Sequence, residues 1–298
     1  MDFVLTLASD PRANSLDSSI AENARAALAR AGAEPGQTDW LAPGIACDIP
    51  CGALSPEASA AVRRELRRFP VDVIAQPAVG RRKAVLVADM DSTIITTESL
   101  DELARFAGVK ERVQAITARS MNGEIDFARA LRERVALLAG VPASALEAIA
   151  GEVVLTPGAK LLVRTMRAAG AYTLLVSGGF TRITARVRAL AGFHRDSANE
   201  LEIKDGRLTG QVIEPILDRE GKKAALEDAA RTRSVSLAAA MAVGDGANDL
   251  AMIRAAGLGV AFRARPVLAA AARARIDHGD LTALLYVQGF RRDEFVGR

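Results

Sequence analysis

The 298-residue sequence predicts an α/β protein: a doubly wound, Rossmann-like parallel sheet with a helical cap, preceded by a small α+β unit. Three observations carry this. The apolar runs AVLVAD, AYTLLVSGG, AAAMAVGDG and GLGVAF alternate with helical segments, as strands buried on both faces of a parallel sheet do. After the first run the chain stays almost wholly helical over about 97–155, far more than one crossover helix requires, so this stretch reads as a cap. Residues 1–80 follow the order strand, helix, strands, helix, strand.

In that first unit FVLTLA is a strand, and Ala21, Ala24, Ala27 and Leu28 share one face of a helix from Asp17 to Arg30, stopped at Gly32. The stretch from Trp40 to Ile49 is strand-like but broken by Pro43-Gly44, Ser55-Pro56 opens a helix through Phe69, and VDVIA closes the unit. This order resembles the ferredoxin-like arrangement of amino-acid-binding ACT domains. The basic GRRK at 80–83 reads as a linker into a second domain, 81–298. There NELEIKDGRLTGQVI predicts a hairpin turned at Asp205-Gly206.

Composition narrows the classes of function. Half the residues are hydrophobic and 25% are charged, as in soluble globular proteins, and the net charge is only +3. Arginines are scattered along Ala-rich helical segments without interleaved aromatics, which argues against a nucleic-acid partner. No run approaches the roughly 20 apolar residues that cross a bilayer, and FVLTLA has no positive segment before it and Asp-Pro right after it, unlike a signal peptide. Neither a membrane span nor a signal peptide is therefore expected, and the protein is expected to be cytoplasmic. Cys47 and Cys51 read as two reduced thiols.

The chemistry lies where polar residues follow the buried runs. Asp89, Ser177 and Asp245 each come just after the apolar part of a strand, and in an open α/β sheet the carboxyl ends of the strands form the ligand crevice. DMDST at 89–93 and GDGAND at 244–249 bring two acidic clusters there. Converging carboxylates repel unless a cation holds them, and magnesium, a hard ion that prefers carboxylate and phosphate oxygens, fits. SGGF at 177–180 adds a hydroxyl and backbone N–H groups ahead of a helix, suited to an anion. Lys222 and Lys223 are two of only six lysines, and either offers a compact positive charge to a phosphate.

In this order, Asp-x-Asp-Ser-Thr, Ser-Gly-Gly-Phe, a Lys and Gly-Asp-Gly-x-Asn-Asp resemble the motif set of the haloacid dehalogenase (HAD) superfamily. DELARFAGV, MNGEIDFARALRERVALL and KDGRLTG resemble its phosphoserine phosphatase branch. The likeness covers residue 84 to the C-terminus. It implies Asp89 as a nucleophile that becomes an aspartyl-phosphate, Asp91 as general acid and base, and Mg2+ held by Asp89, the Asp91 carbonyl and Asp245, with Asp249 in support. It implies phosphate contacts from Ser177, the Gly178 N–H and Lys222, with Asn248 on the substrate side and Gly179 supporting. In the cap it puts Glu98 on a substrate ammonium, Arg134 on its carboxylate, and Met121 and Phe127 over both. The expected reaction is hydrolysis of phosphoserine, the last step of serine biosynthesis. A phosphatase of another small monoester, or a phosphotransferase with an acceptor such as homoserine, stays open. The expected partner is a small-molecule substrate, and a homodimer is left open.

Overall fold

A computed structural model describes residues 1–121 and 124–297, with Met121 through its backbone alone. The chain opens with β1 (Phe3–Ser9), α1 (Ser18–Arg30), β2 (Asp39–Ala42), β3 (Ala46–Cys51), α2 (Pro56–Glu65) and β4 (Val71–Pro77). Both helices start as their sequence signals predict. Asp17 caps α1 by accepting from the Ile20 N–H, and Ser55 caps α2 by accepting from the Ala58 N–H. The four strands form an antiparallel sheet in the order β2-β3-β1-β4, the ferredoxin-like chain order.

Next come β5 (Val85–Asp89), a π-turn at Met90–Ile94, and four helices: α3 (Ser99–Phe106), α4 (Lys110–Met121), α5 (Phe127–Ala136) and α6 (Ser144–Gly151). The chain continues as α7 (Ala159–Ala168), β6 (Tyr172–Phe180), α8 (Thr181–Ala191), β7 (Arg195–Lys204), β8 (Arg207–Ile213), α9 (Arg219–Thr232) and β9 (Ala240–Gly244). It ends with α10 (Leu250–Ala255), β10 (Leu258–Phe262), α11 (Pro266–Ala271), β11 (Ala274–Ile276) and α12 (Ala283–Val287).

The seven strands run β11-β10-β9-β5-β6-β7-β8, parallel throughout except for the β7–β8 hairpin. Every residue of β5, β9 and β10 is buried, which is why these strands read as unbroken apolar runs. The hairpin turns at Asp205 and Gly206 with φ of 50° and 72°, both positive as a type I′ turn requires. Among the described residues no helix is long and apolar enough to cross a membrane.

One face of the first sheet packs on α1 and α2 through Leu5, Leu7, Cys47 and Ile49. Its other face, with Ala8, Leu41, Ile45 and Ile74, joins the apolar cluster that also holds α7, α12, Leu131 and Val135 of α5, and Leu146 of α6. The unit is therefore seated on the second sheet's domain. The segment 80–83 is also pinned, more firmly than a linker needs: Arg81 bonds buried Asp48 at 2.6 Å, Arg82 pairs with Glu294, and Lys83 Nζ reaches the Gly80 and Ala238 carbonyls. A strand exposes side chains on both faces, so a sheet apolar on both faces needs a second partner beyond its own helices.

Candidate active site

β5 lies between β6 and β9, where the strand order reverses, and register brings their carboxyl ends level. Asp89 pairs with Val176, one residue before Ser177, and Ala88 pairs with Val243, one residue before Gly244 and two before Asp245. The two acidic clusters and the Ser-Gly-Gly loop thus meet in one crevice. After Asp89 the backbone leaves the sheet in a tight turn, with Ser92 at a φ of 53°, a left-handed conformation costly for a residue with a Cβ.

Lys222 stands at the centre. It is 1% exposed, and its ammonium donates to Asp89 Oδ1 at 2.5 Å and to Asp249 Oδ1 at 2.7 Å. Asp218 caps α9 by accepting from the Gly221 N–H, setting Lys222 in the first turn. Lys223 points elsewhere and pairs with Glu227 at 3.6 Å. Asp249 is completed by the Gly246 N–H on Oδ2 at 3.1 Å. Asn248 lies beside it in the same turn, half-buried, with Oδ1 close against Gly246.

Asp91 points under the cap. Its Oδ1 accepts from the Ser99 N–H at 2.7 Å and its Oδ2 from Ser177 Oγ at 3.2 Å, while Ser177 accepts from the Gly179 N–H at 2.8 Å. Gly179 is required by proximity: a Cβ there would meet Ser99 Oγ at 2.8 Å, Ser177 Oγ at 3.0 Å and Asp91 Oδ2 at 3.1 Å. A Cβ on Gly178 would meet the Phe127 ring at 3.0 Å, so the cap's aromatic residue lies on the loop. Met121 ends α4, and its side chain lies outside the described residues.

Glu98 opens onto the crevice, with Oε1 accepting from Ser92 Oγ at 2.6 Å. Arg134 is half-buried; its Nε donates to the Ala130 carbonyl at 3.1 Å and its Nη1 to Thr117 Oγ1 at 3.5 Å. Asp101 and Glu98 both attract it.

The electrostatics are those of an acidic pocket short of positive charge. Burial, then Asp249 and Glu98, push Asp245 up to about 7. Burial, then Asp249, raise Asp89 against the pull of Lys222. Burial also raises Asp91 and Glu98. Burial draws the Lys222 ammonium down, but Asp249 and Asp89 outweigh it and keep it charged. Carboxylate oxygens of Asp89, Asp245 and Asp249 lie within 4.8 Å of one another, an all-oxygen set that fits a hard divalent cation.

Several neighbours escaped the sequence reading. Ser99 and Thr117 hold Asp91 and Arg134, Asp101 faces Arg134, and the Arg265 N–H donates to the Asp245 carbonyl at 2.9 Å. Asn199, 1% exposed, donates from Nδ2 to the Gly178 carbonyl at 2.9 Å and accepts the Leu217 N–H at 2.7 Å. Only its polarity inside a strand could have drawn notice.

Comparison with known proteins follows the same outline. The model of the haloacid dehalogenase-like hydrolase family matches residues 86–254. A phosphoserine phosphatase of Streptomyces coelicolor is 44% identical over 224 residues, 75% of this chain and 55% of the relative, so the chain spans about half that protein's length. A HAD family hydrolase of Salmonella enterica serovar Typhi superposes with a TM-score of 0.85 at 27% identity, covering 98% of this chain and 99% of that one. A phosphoserine phosphatase solved as a phospho-aspartyl intermediate analogue superposes at 0.65 with 37% identity, covering 69% and 98%.

Proposed function

Since the chain belongs to the haloacid dehalogenase-like hydrolase family, we propose that it is a magnesium-dependent phosphatase that hydrolyses phosphoserine through an aspartyl-phosphate on Asp89. The observation that carries this is the convergence of Asp89, Asp91, Ser177 and Asp245 at the ends of adjacent strands with Lys222 from the first turn of α9, beneath a cap bearing Glu98 and Arg134. The relatives named phosphoserine phosphatases support the choice of substrate.

In this reading Ser177 Oγ, the Gly178 N–H and Lys222 hold the phosphoryl oxygens. An Asp89 oxygen attacks phosphorus in line while the bond to the seryl oxygen breaks, and Asp91 gives that oxygen its proton. Asp91 suits an acid, because burial keeps its proton on to higher pH and the Ser99 N–H fixes one oxygen, leaving Oδ2 to carry the proton. A water then attacks phosphorus, Asp91 takes its proton, the Asp89–phosphorus bond breaks, and serine and phosphate are the products. Asp89, the Asp91 carbonyl and Asp245 would hold Mg2+, which when bound offsets charge on the phosphoryl oxygens. Lys222 supplies further offset, and Phe127 with the rest of the cap keeps bulk water out. Unaided hydrolysis of phosphate monoesters is among the slowest of reactions, so positioning and charge must lower a large barrier.

Specificity rests on Arg134 for the substrate carboxylate and Glu98 for its ammonium. A charge-assisted hydrogen bond contributes about 1.5–3 kcal/mol. Arg134→Ala should therefore lower kcat/KM for phosphoserine at least about tenfold, yet barely alter it for p-nitrophenyl phosphate, which has neither group. Arg134→Lys should restore only part, lacking the two-point fork. Equal losses on both esters would assign Arg134 to the cap's structure, and no loss on either would remove the reason for choosing phosphoserine.

A further inference from the structure

The Ser-Gly-Gly loop must hold its shape without full support from the sheet. The register of β6 against β7 shifts between Ser177 and Phe180, where Phe180 comes opposite Asn199, so the ladder is interrupted along the two glycines. Asn199 fills that gap. Its buried amide donates to the Gly178 carbonyl at 2.9 Å and accepts the Leu217 N–H at 2.7 Å. A carbonyl can only accept and an N–H only donate, so the amide has one orientation that satisfies both. Leu217 directly precedes Asp218, the cap of α9, and Lys222 lies in that helix's first turn. One side chain thus ties the loop on β6 to the start of the helix that carries the buried ammonium.

We propose that Asn199 is a positioning residue for the phosphate site, fixing Gly178 and Lys222 in one frame so that both meet the same phosphoryl group. This rests on reading the crevice as a phosphate site. The competing account is that Asn199 only satisfies two buried backbone groups and stabilises the fold.

The test uses the full chain with Asn199→Ala and Asn199→Asp. Aspartate keeps the shape and an acceptor for the Leu217 N–H, but at neutral pH has no donor for the Gly178 carbonyl. For both variants kcat should fall at least about fivefold on phosphoserine and p-nitrophenyl phosphate alike. The inhibition constant of inorganic phosphate should rise similarly, while half-saturating magnesium stays within about twofold, since Asn199 touches none of the acidic cluster. Arg134→Ala serves as the contrast, losing phosphoserine alone. A lower Tm with kcat and phosphate inhibition unmoved overturns the proposal. Should neither variant fold, the wild-type protein decides: the Asn199 side-chain amide resonances should shift when inorganic phosphate and magnesium are added, and unmoved resonances overturn it. A wild-type protein that neither binds phosphate nor cleaves either ester overturns the phosphatase reading, and this inference with it.

Discussion

Asp91 shows how much one carboxyl owes to its surroundings. It stands two residues after Asp89, yet it points under the cap toward the Ser99 N–H and Ser177 Oγ, whereas Asp89 meets Lys222. Two acids so close sit differently because Asp89 bonds an ammonium directly, whereas Asp91 is buried against an N–H and a hydroxyl. Asp91→Asn cannot give or take the proton, so rapid-quench measurements should show both formation and breakdown of the phosphoenzyme slowed, by about a hundredfold or more. Unchanged rates would remove Asp91 from the acid–base role. Asp89→Asn should fold normally and form no acid-labile phosphoenzyme, and labelled protein from that variant would place the nucleophile elsewhere. The motif residues were legible because each follows the apolar run of a strand or opens a helix in a spacing that resembles the family's, although the sheet sets β5 between β9 and β6. Asn199 and Thr117 were not, because what matters about them is a contact 21 or 17 residues away.

Helix α9 links stability to chemistry. Its cap, Asp218, accepts the Gly221 N–H at 2.9 Å, and Lys222 follows within the same turn. Asp218→Ala should cost about 1 kcal/mol, seen as a lower denaturation midpoint. It should also lower kcat on every ester, because a frayed first turn lets the Lys222 ammonium leave Asp89 and Asp249. A loss of stability with kcat intact would show that burial alone holds Lys222. The long buried strands were readable from their apolar runs, and α1 and α2 from their capping residues. The three residues of β11, by contrast, are too few to show a period, and they form a strand because Val260, Ala261 and Phe262 of β10 offer them an edge.

Taken as a whole, the molecule gathers acidic groups that folding makes harder to ionise. Asp245 has its pKa raised from an ordinary 3.8 to about 7, so between those values the folded chain binds more protons than the unfolded one. Stability from this group is therefore lost as pH rises, with the full penalty above about 7. Asp89, Asp91 and Glu98 act in the same direction, while the lowered pKa of His194 opposes them at the acid end of the range. Metal-free protein should show a falling Tm from pH 5.5 to 8. Magnesium should raise Tm markedly at pH 8 and little at pH 5, where protons compete for the same oxygens. A Tm indifferent to both would contradict the metal assignment.

The first sheet makes the second whole-molecule case. Besides its apolar face, it contributes Asp72, whose buried carboxylate accepts from the N–H groups of Asp277, His278 and Gly279 at 2.8, 3.1 and 2.8 Å. A fragment of residues 81–298 keeps every crevice residue but leaves that loop and α12 uncovered. It should cleave p-nitrophenyl phosphate, melt well below the full chain, and self-associate through the bared face. A fragment as stable and monodisperse as the full chain would show that the contact contributes nothing.

Strand periods and capping residues were enough to predict the α/β architecture and the helical insertion, because these depend on near neighbours along the chain. The crevice was legible through the order of the polar motifs and the family resemblance they carry, since its members, such as Asp89 and Lys222, meet from 133 positions apart. The seating of the first sheet and the contacts of Ser99, Thr117 and Asn199 depend on groups brought together from distant positions. No local pattern records such contacts, since burial and hydrogen bonding between remote segments exist only once the chain has closed on itself.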